Sequence, residues 1–204
     1  MIADTNFKYT SKANDSFKTK LNLYLFDKVI SHSKIPDDLS DFYSYMITQN
    51  IVDVYTTVYW QQKAESMIGE ISIEQIYREL TGWKIANKLV IEEHRRHYVS
   101  EKFPKLFPKS DFDMLLQGNS CSYCNITTEK IEILADKGQI KKKSLRGWVL
   151  EIDRLDSNFE YSKANCVMAC YWCNNAKTDE FTQKEFEEIG KSIEIIWKNR
   201  LASL

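Results

Sequence analysis

Four of the chain's five cysteines fall in two pairs of equal spacing, Cys121-Ser122-Tyr123-Cys124 and Cys170-Tyr171-Trp172-Cys173, with forty-five residues between them. A Cys-x-x-Cys turn aims two thiolates at one point, and two such turns complete a tetrahedral set for zinc. Four thiolates leave no open coordination position, so a zinc held this way supports structure and performs no chemistry. The competing readings are weaker. Four unrelated buried cysteines would have to match the x-x spacing twice by accident, and a redox pair would need a thioredoxin-like βαβ pattern that the sequence lacks. Cys166 is left over and reads as a small buried hydrophobe on a strand.

Two further groups could do chemistry. His94 and His97 share a helix face and could bind metal, although Glu92-Glu93-His94-Arg95-Arg96-His97 reads more simply as a solvated, self-paired helix surface. Lys141, Lys142, Lys143 and Arg146 form a basic cluster just before a predicted strand. They are either a solvated loop or a set of phosphate contacts.

The elements that must position these residues differ between the two halves of the chain. Residues 1–16 are polar and aperiodic, which suggests a loose terminus. From there to about 117 the pattern is helical. Leu21, Leu25 and Val29 fall four apart, and Tyr43, Ile47, Ile51, Val54 and Val58 mark one face of a long second helix beginning near Pro36-Asp37-Asp38. Ser72 with Gln75 resembles a capping box opening a third helix, with Ile76 and Leu80 on one face and Gly82 a candidate break before a segment from Trp83 to Tyr98. Pro104 and Pro108 punctuate a connector. The aromatic residues Tyr43, Tyr45, Tyr55, Tyr59, Trp60 and Trp83 could stack on nucleobases, but at helical spacing the core reading is preferred.

Beyond Cys121 the pattern changes. A short amphipathic stretch covers 131–137, Trp148 to Ile152 reads as a strand, Asp156-Ser157-Asn158 as a turn, and Cys166 to Met168 as a second strand. A helix follows near Cys170 or Tyr171. The last helix opens at Thr182 with a second capping box to Glu185 and carries Phe186, Ile189, Ile193, Ile196 and Trp197 on one face.

Composition excludes several classes. With 43% hydrophobic and 28% charged residues but only six glycines and three prolines in 204 positions, the chain is neither disordered nor a turn-rich all-β fold. A formal charge of −1 removes the general electrostatic argument for nucleic acid, so such a partner would need a local basic patch. The longest apolar run, Cys166 to Cys173, is eight residues, too short for a membrane span, and the first residues lack an export pattern. A cytoplasmic location without a membrane partner is expected.

The order Leu150-Glu151-Ile152-Asp153-Arg154, Tyr161-Ser162-Lys163-Ala164-Asn165, Cys170-Tyr171-Trp172-Cys173-Asn174-Asn175-Ala176-Lys177 resembles the HNH endonucleases, the ββα-metal nucleases, in their zinc-knuckle form. The resemblance covers about 121–180. It implies that Asp153 is the metal-binding acid, Asn165 the loop residue that fixes the ββ connection, Asn174 a metal ligand at the helix start, and Lys177 the basic residue of the closing helix. It also implies Mg²⁺ or Mn²⁺ at Asp153 and Asn174, both of which offer the hard oxygen donors these ions take. The family's general-base histidine is replaced by Arg154, which stays protonated and cannot take a proton from water. Asp156, three residues beyond Asp153, is the preferred substitute base. Glu151, a metal-bound water, or His94 or His97 are the alternatives, and Asp156 could equally only start a turn.

The expected fold is mainly α with a small α+β module: a helical domain over 17–117 that contacts a partner, a second copy or DNA, and an HNH-like domain over 118–204. The expected function is metal-dependent hydrolysis of DNA, which family association connects with bacterial or phage conflict systems. The alternative is a catalytically inactive zinc module that binds nucleic acid or protein.

Overall fold

A computed structural model describes residues 5–59, 66–140 and 146–204. It divides into two compact units, Met1–Leu106 with Asn158–Glu160, and Phe107–Ser157 with Tyr161–Leu204. Among the described residues no helix is long and apolar enough to cross a membrane.

The first unit is built on α1 (Thr5–Ile30), so the expected loose terminus is helical from Thr5 onward. Ala13, Phe17 and Leu21 are buried, and from Leu23 to Phe26 four consecutive side chains are buried, so the later turns of the helix are covered on more than one side. The helix ends where His32 adopts φ +53° and Ser33 N donates to the Lys28 carbonyl at 2.9 Å, a left-handed cap of the Schellman kind.

The long helix expected from Pro36 is absent. The chain turns instead, with Leu39 at φ +49°, and it inserts Leu39 and Phe42 into the core. Phe42 meets the rings of Phe17 and Tyr24 edge-on, each at 5.5 Å. Helix formation begins only at α2 (Gln49–Asp53), capped by Thr48, and continues as a π-helical turn over Val54–Tyr59. Tyr45 and Tyr55 pack on Tyr24 and Phe26, which supports the core reading of these aromatics; Trp60 lies outside the described residues.

A hairpin of β1 (Met67–Ile68) and β2 (Ile71–Ser72), turning at Gly69 with φ +59°, leads into α3 (Ile73–Ala86). Ser72 caps α3 by accepting from Gln75 N. Gly82 does not break this helix: an interior glycine costs only about 0.5–1 kcal/mol, and the stop comes at Asn87, whose side chain donates to the Trp83 carbonyl. α4 (Lys88–His97), a π-helical turn over Tyr98–Lys102 and α5 (Phe103–Leu106) complete the unit. Inside it Lys20 and Ser16 are buried, Tyr98 Oη donates to Glu160, and the Glu160 carboxylate offsets part of the fall in the Lys20 pKa that burial causes.

The second unit opens with α6 (Lys109–Leu116) and α7 (Thr128–Asp136), the latter capped by Thr127. β3 (Glu151–Arg154) and β4 (Cys166–Ala169) pair antiparallel, Glu151 opposite Ala169 and Arg154 opposite Cys166. The first strand begins three residues later than the alternation of 148–152 suggests, because Gly147 at φ +92° turns the chain against Tyr171, leaving Trp148 and Val149 exposed in a bend. α8 (Tyr171–Lys177) follows β4 directly, and α9 (Gln183–Ala202) starts with the Thr182/Glu185 capping box. The buried face of α9 carries Phe186, Gly190 and Trp197, whereas Ile196 is half exposed. The molecule is thus mainly helical, with a ββα module and its four cysteines in the C-terminal unit.

Candidate metal centre

The two cysteine turns form by different means. In the first, Asn125 at φ +56° closes the bend, Asn125 N donates to the Cys121 carbonyl and Cys121 N to the Ile126 carbonyl, both at 2.9 Å. In the second, Cys170 is the N-cap of α8, so its sulfur accepts from Cys173 N at 3.5 Å. The four sulfurs are buried and lie within 4.8 Å of one another, Cys124 and Cys170 at 3.6 Å. Zinc–thiolate bonds of about 2.3 Å in a tetrahedron place sulfurs about 3.8 Å apart, so the four thiols fit zinc. All five cysteines are free, Cys166 buried on β4. Such crowding shifts the thiols in opposite directions. Hydrogen bonding from Cys124, Cys170 and Cys173 pulls the Cys121 pKa down, while hydrogen bonding with Cys121, Cys124 and Cys170 pushes that of Cys173 up. A divalent cation removes this conflict by accepting all four as thiolates.

On β3 the two-residue alternation puts Glu151 and Asp153 on one face and buries Ile152 on the other. On α8 Asn174 and Lys177, three apart, share a face. The pairing that results is specific. Asp153 Oδ2 accepts from Tyr123 Oη at 2.7 Å and lies 3.6 Å from Lys177 Nζ. Asn174 Nδ2 donates to Glu151 Oε2 at 2.7 Å, leaving its carbonyl oxygen outside that bond. Arg146 also binds Glu151, with Nε to Oε1 at 3.1 Å and Nη2 to Oε2 at 2.7 Å, and its guanidinium lies 5.7 Å from the centre of the Tyr171 ring.

Burial pushes the Asp153 pKa above the ordinary carboxylate value, and the Tyr123 hydrogen bond and the Lys177 charge pull it back in part. Lys177, with 2% of its side chain exposed, donates to the Arg154 carbonyl at 2.9 Å and so ties α8 to the end of β3. The Arg154 guanidinium sits 4.6 Å from the centre of the buried Tyr161 ring.

Asn165 holds the turn after β3 by both of its amide atoms. Nδ2 donates to the Asp156 carbonyl and Oδ1 accepts from Asp156 N, each at 2.9 Å, while its own carbonyl accepts from Leu155 N. The 155–156 backbone is therefore clamped at the base of the hairpin connection.

Lys141, Lys142 and Lys143 lie outside the described residues, and Arg146 is committed to Glu151. His94 belongs to the first unit, its ring stacked on Tyr43 at 5.2 Å with His97 edge-on to the same tyrosine at 5.1 Å. The face read as solvated is thus partly covered, while the self-pairing appears as Arg95 with Glu92. Tyr123 is the site residue that sequence reading missed. Its only signal was a hydroxyl-bearing aromatic inside the first cysteine turn, and its partner lies thirty residues away.

No protein-family model matches the chain, and no curated protein matches it. Among solved structures, the chain is similar to the rare-cutting HNH restriction endonuclease PacI, with 29% sequence identity, 46% of this chain and 66% of that one covered, and a TM-score of 0.39.

Proposed function

We propose that the chain is a metal-dependent phosphodiesterase of the HNH type that hydrolyses DNA. The observation that carries this reading is the assembly of one hairpin and one helix on the four-cysteine centre, with Asp153 on the first strand, Asn174 on the helix and the connecting turn clamped by Asn165. Asp153 and Asn174 would hold Mg²⁺ or Mn²⁺, for which a carboxylate and an amide oxygen are suitable donors. Such an ion supplies Lewis acidity at the scissile phosphate and charge stabilisation at the leaving oxygen.

The chain's own groups do the rest. Tyr123 and Lys177 fix the Asp153 carboxylate, Glu151 orients the Asn174 amide, and Asn165 presents Asp156, the preferred proton acceptor, on a rigid turn. Lys177 acts through Asp153 and the Arg154 carbonyl, as a positioning residue. The basic cluster of Lys141, Lys142 and Lys143 would contact phosphates, with Arg146, held by Glu151 through Nε and Nη2, beside them in sequence. A place in bacterial or phage conflict rests on the sequence resemblance, as does a partner or second copy for the helical unit. The second reading, an inactive zinc module that binds nucleic acid or protein, draws its support from Arg154, which stands where the family's base stands.

The test is cleavage of supercoiled plasmid by zinc-loaded protein with Mg²⁺ or Mn²⁺. Nicking that stops in chelator, and that Asp153→Ala and Asn174→Ala abolish without loss of zinc or thermal stability, is the expected result. Equal cleavage by parent and both variants would place the metal elsewhere, and an inert parent that binds DNA would favour the second reading.

A further inference from the structure

Asp153 does not stand alone on its strand. Two donors converge on one of its oxygens: Tyr123 Oη at 2.7 Å and Lys177 Nζ at 3.6 Å both approach Oδ2. Tyr123 is itself immobilised. It lies between Cys121 and Cys124, it is 6% exposed, and its ring meets Phe186 edge-on at 5.0 Å. Its backbone presses on α9 where Gly190 stands, since a Cβ there would fall 2.6 Å from the Tyr123 carbonyl oxygen. A hydroxyl on such a support can fix the torsion of a carboxylate, which a long lysine side chain alone does less well.

We propose that Tyr123 is a positioning residue for divalent-metal binding: its hydroxyl occupies Asp153 Oδ2 and thereby presents Oδ1 as the single oxygen offered to the ion. The first cysteine turn then does two things, contributing two zinc ligands and aiming the carboxylate of the second metal. This inference rests on the reading of Asp153 as a metal ligand, and the experiment separates the two.

Removing an outer-shell partner of a metal ligand typically costs about 10–100-fold in metal affinity. Tyr123→Phe keeps the ring against Phe186 and removes only the hydroxyl. Mn²⁺ is titrated into zinc-loaded parent, Tyr123→Phe and Asp153→Ala, with free Mn²⁺ read by electron paramagnetic resonance. Asp153→Ala should lose the site, and Tyr123→Phe should bind about 10–100-fold more weakly at unchanged zinc content and melting temperature. In cleavage, its plateau rate should recover at high Mn²⁺ while the half-saturating concentration rises.

If Asp153→Ala loses Mn²⁺ but Tyr123→Phe binds it like the parent, the positioning role is wrong and the metal site stands. If both variants bind like the parent, the metal site fails as well. Loss of zinc or of folding in Tyr123→Phe would assign the hydroxyl to structure and overturn the proposal.

Discussion

Arg154 decides how the proposed reaction finds its base. Its guanidinium lies over the Tyr161 ring and its carbonyl accepts from Lys177, so both ends of the residue are engaged. Replacing it by histidine would put a group able to be neutral at pH 7 beside the strand that carries Asp153. If the natural protein lacks a base, Arg154→His should create or raise plasmid cleavage. If Arg154 instead grips phosphate and Asp156 takes the proton, Arg154→His and Asp156→Asn should each lower the rate, the latter by about 10²–10⁴-fold. Single-turnover cleavage rates at saturating Mn²⁺ distinguish the two, and an active parent indifferent to both substitutions would move the base away from this strand.

The starts of α3, α8 and α9 were legible because a cap is a local event: Ser72, Cys170 and Thr182 each bond an amide three residues on. The same locality made the four-cysteine centre readable from spacing. What failed depended on tertiary partners. Tyr43 and its neighbours look helical, yet the segment turns because Leu39 and Phe42 gain more from the core of α1 than a helix surface would supply. The polar start of α1 reads as loose only when the buried face at Ala13 and Phe17 is out of view. Two predictions belong to these contacts. Gly190→Ala on α9 forces a methyl against the Tyr123 carbonyl, and unfolding of the second unit in urea should show a loss of about 1–3 kcal/mol. On the first unit, burial raises the Glu160 pKa above its ordinary 4.5, with Tyr98 and Lys20 opposing that rise. The folded state therefore binds this proton more tightly than the unfolded chain, so the group's contribution is fully present below pH 4.5 and declines as pH rises through the folded value. Comparing melts of parent and Glu160→Gln from pH 4.5 upward, the parent should lose stability relative to the variant; parallel profiles would show that Glu160 does not titrate differently in the fold.

Both proposed ions can be withdrawn by a chelator, but the consequences differ in time. The divalent ion at Asp153 would leave first and return freely, since oxygen ligands gain nothing by reacting with one another. The four sulfurs are another matter: stripped of zinc, thiols within 4.8 Å of one another are poised to oxidise. Loss of zinc in air should therefore be remembered by the protein, whereas the same loss under a thiol reductant should not. After chelation and dialysis, added zinc should restore cleavage only in the reduced sample, and a thiol-reactive dye applied to the unfolded, metal-free protein should count all five thiols there but fewer in the aerated sample. Full recovery from the aerated sample would mean that the emptied centre relaxes apart faster than its sulfurs react. Such a centre would register the loss of its metal only where the surroundings are oxidising, and a structural clip would then carry a trace of the redox conditions it met while empty.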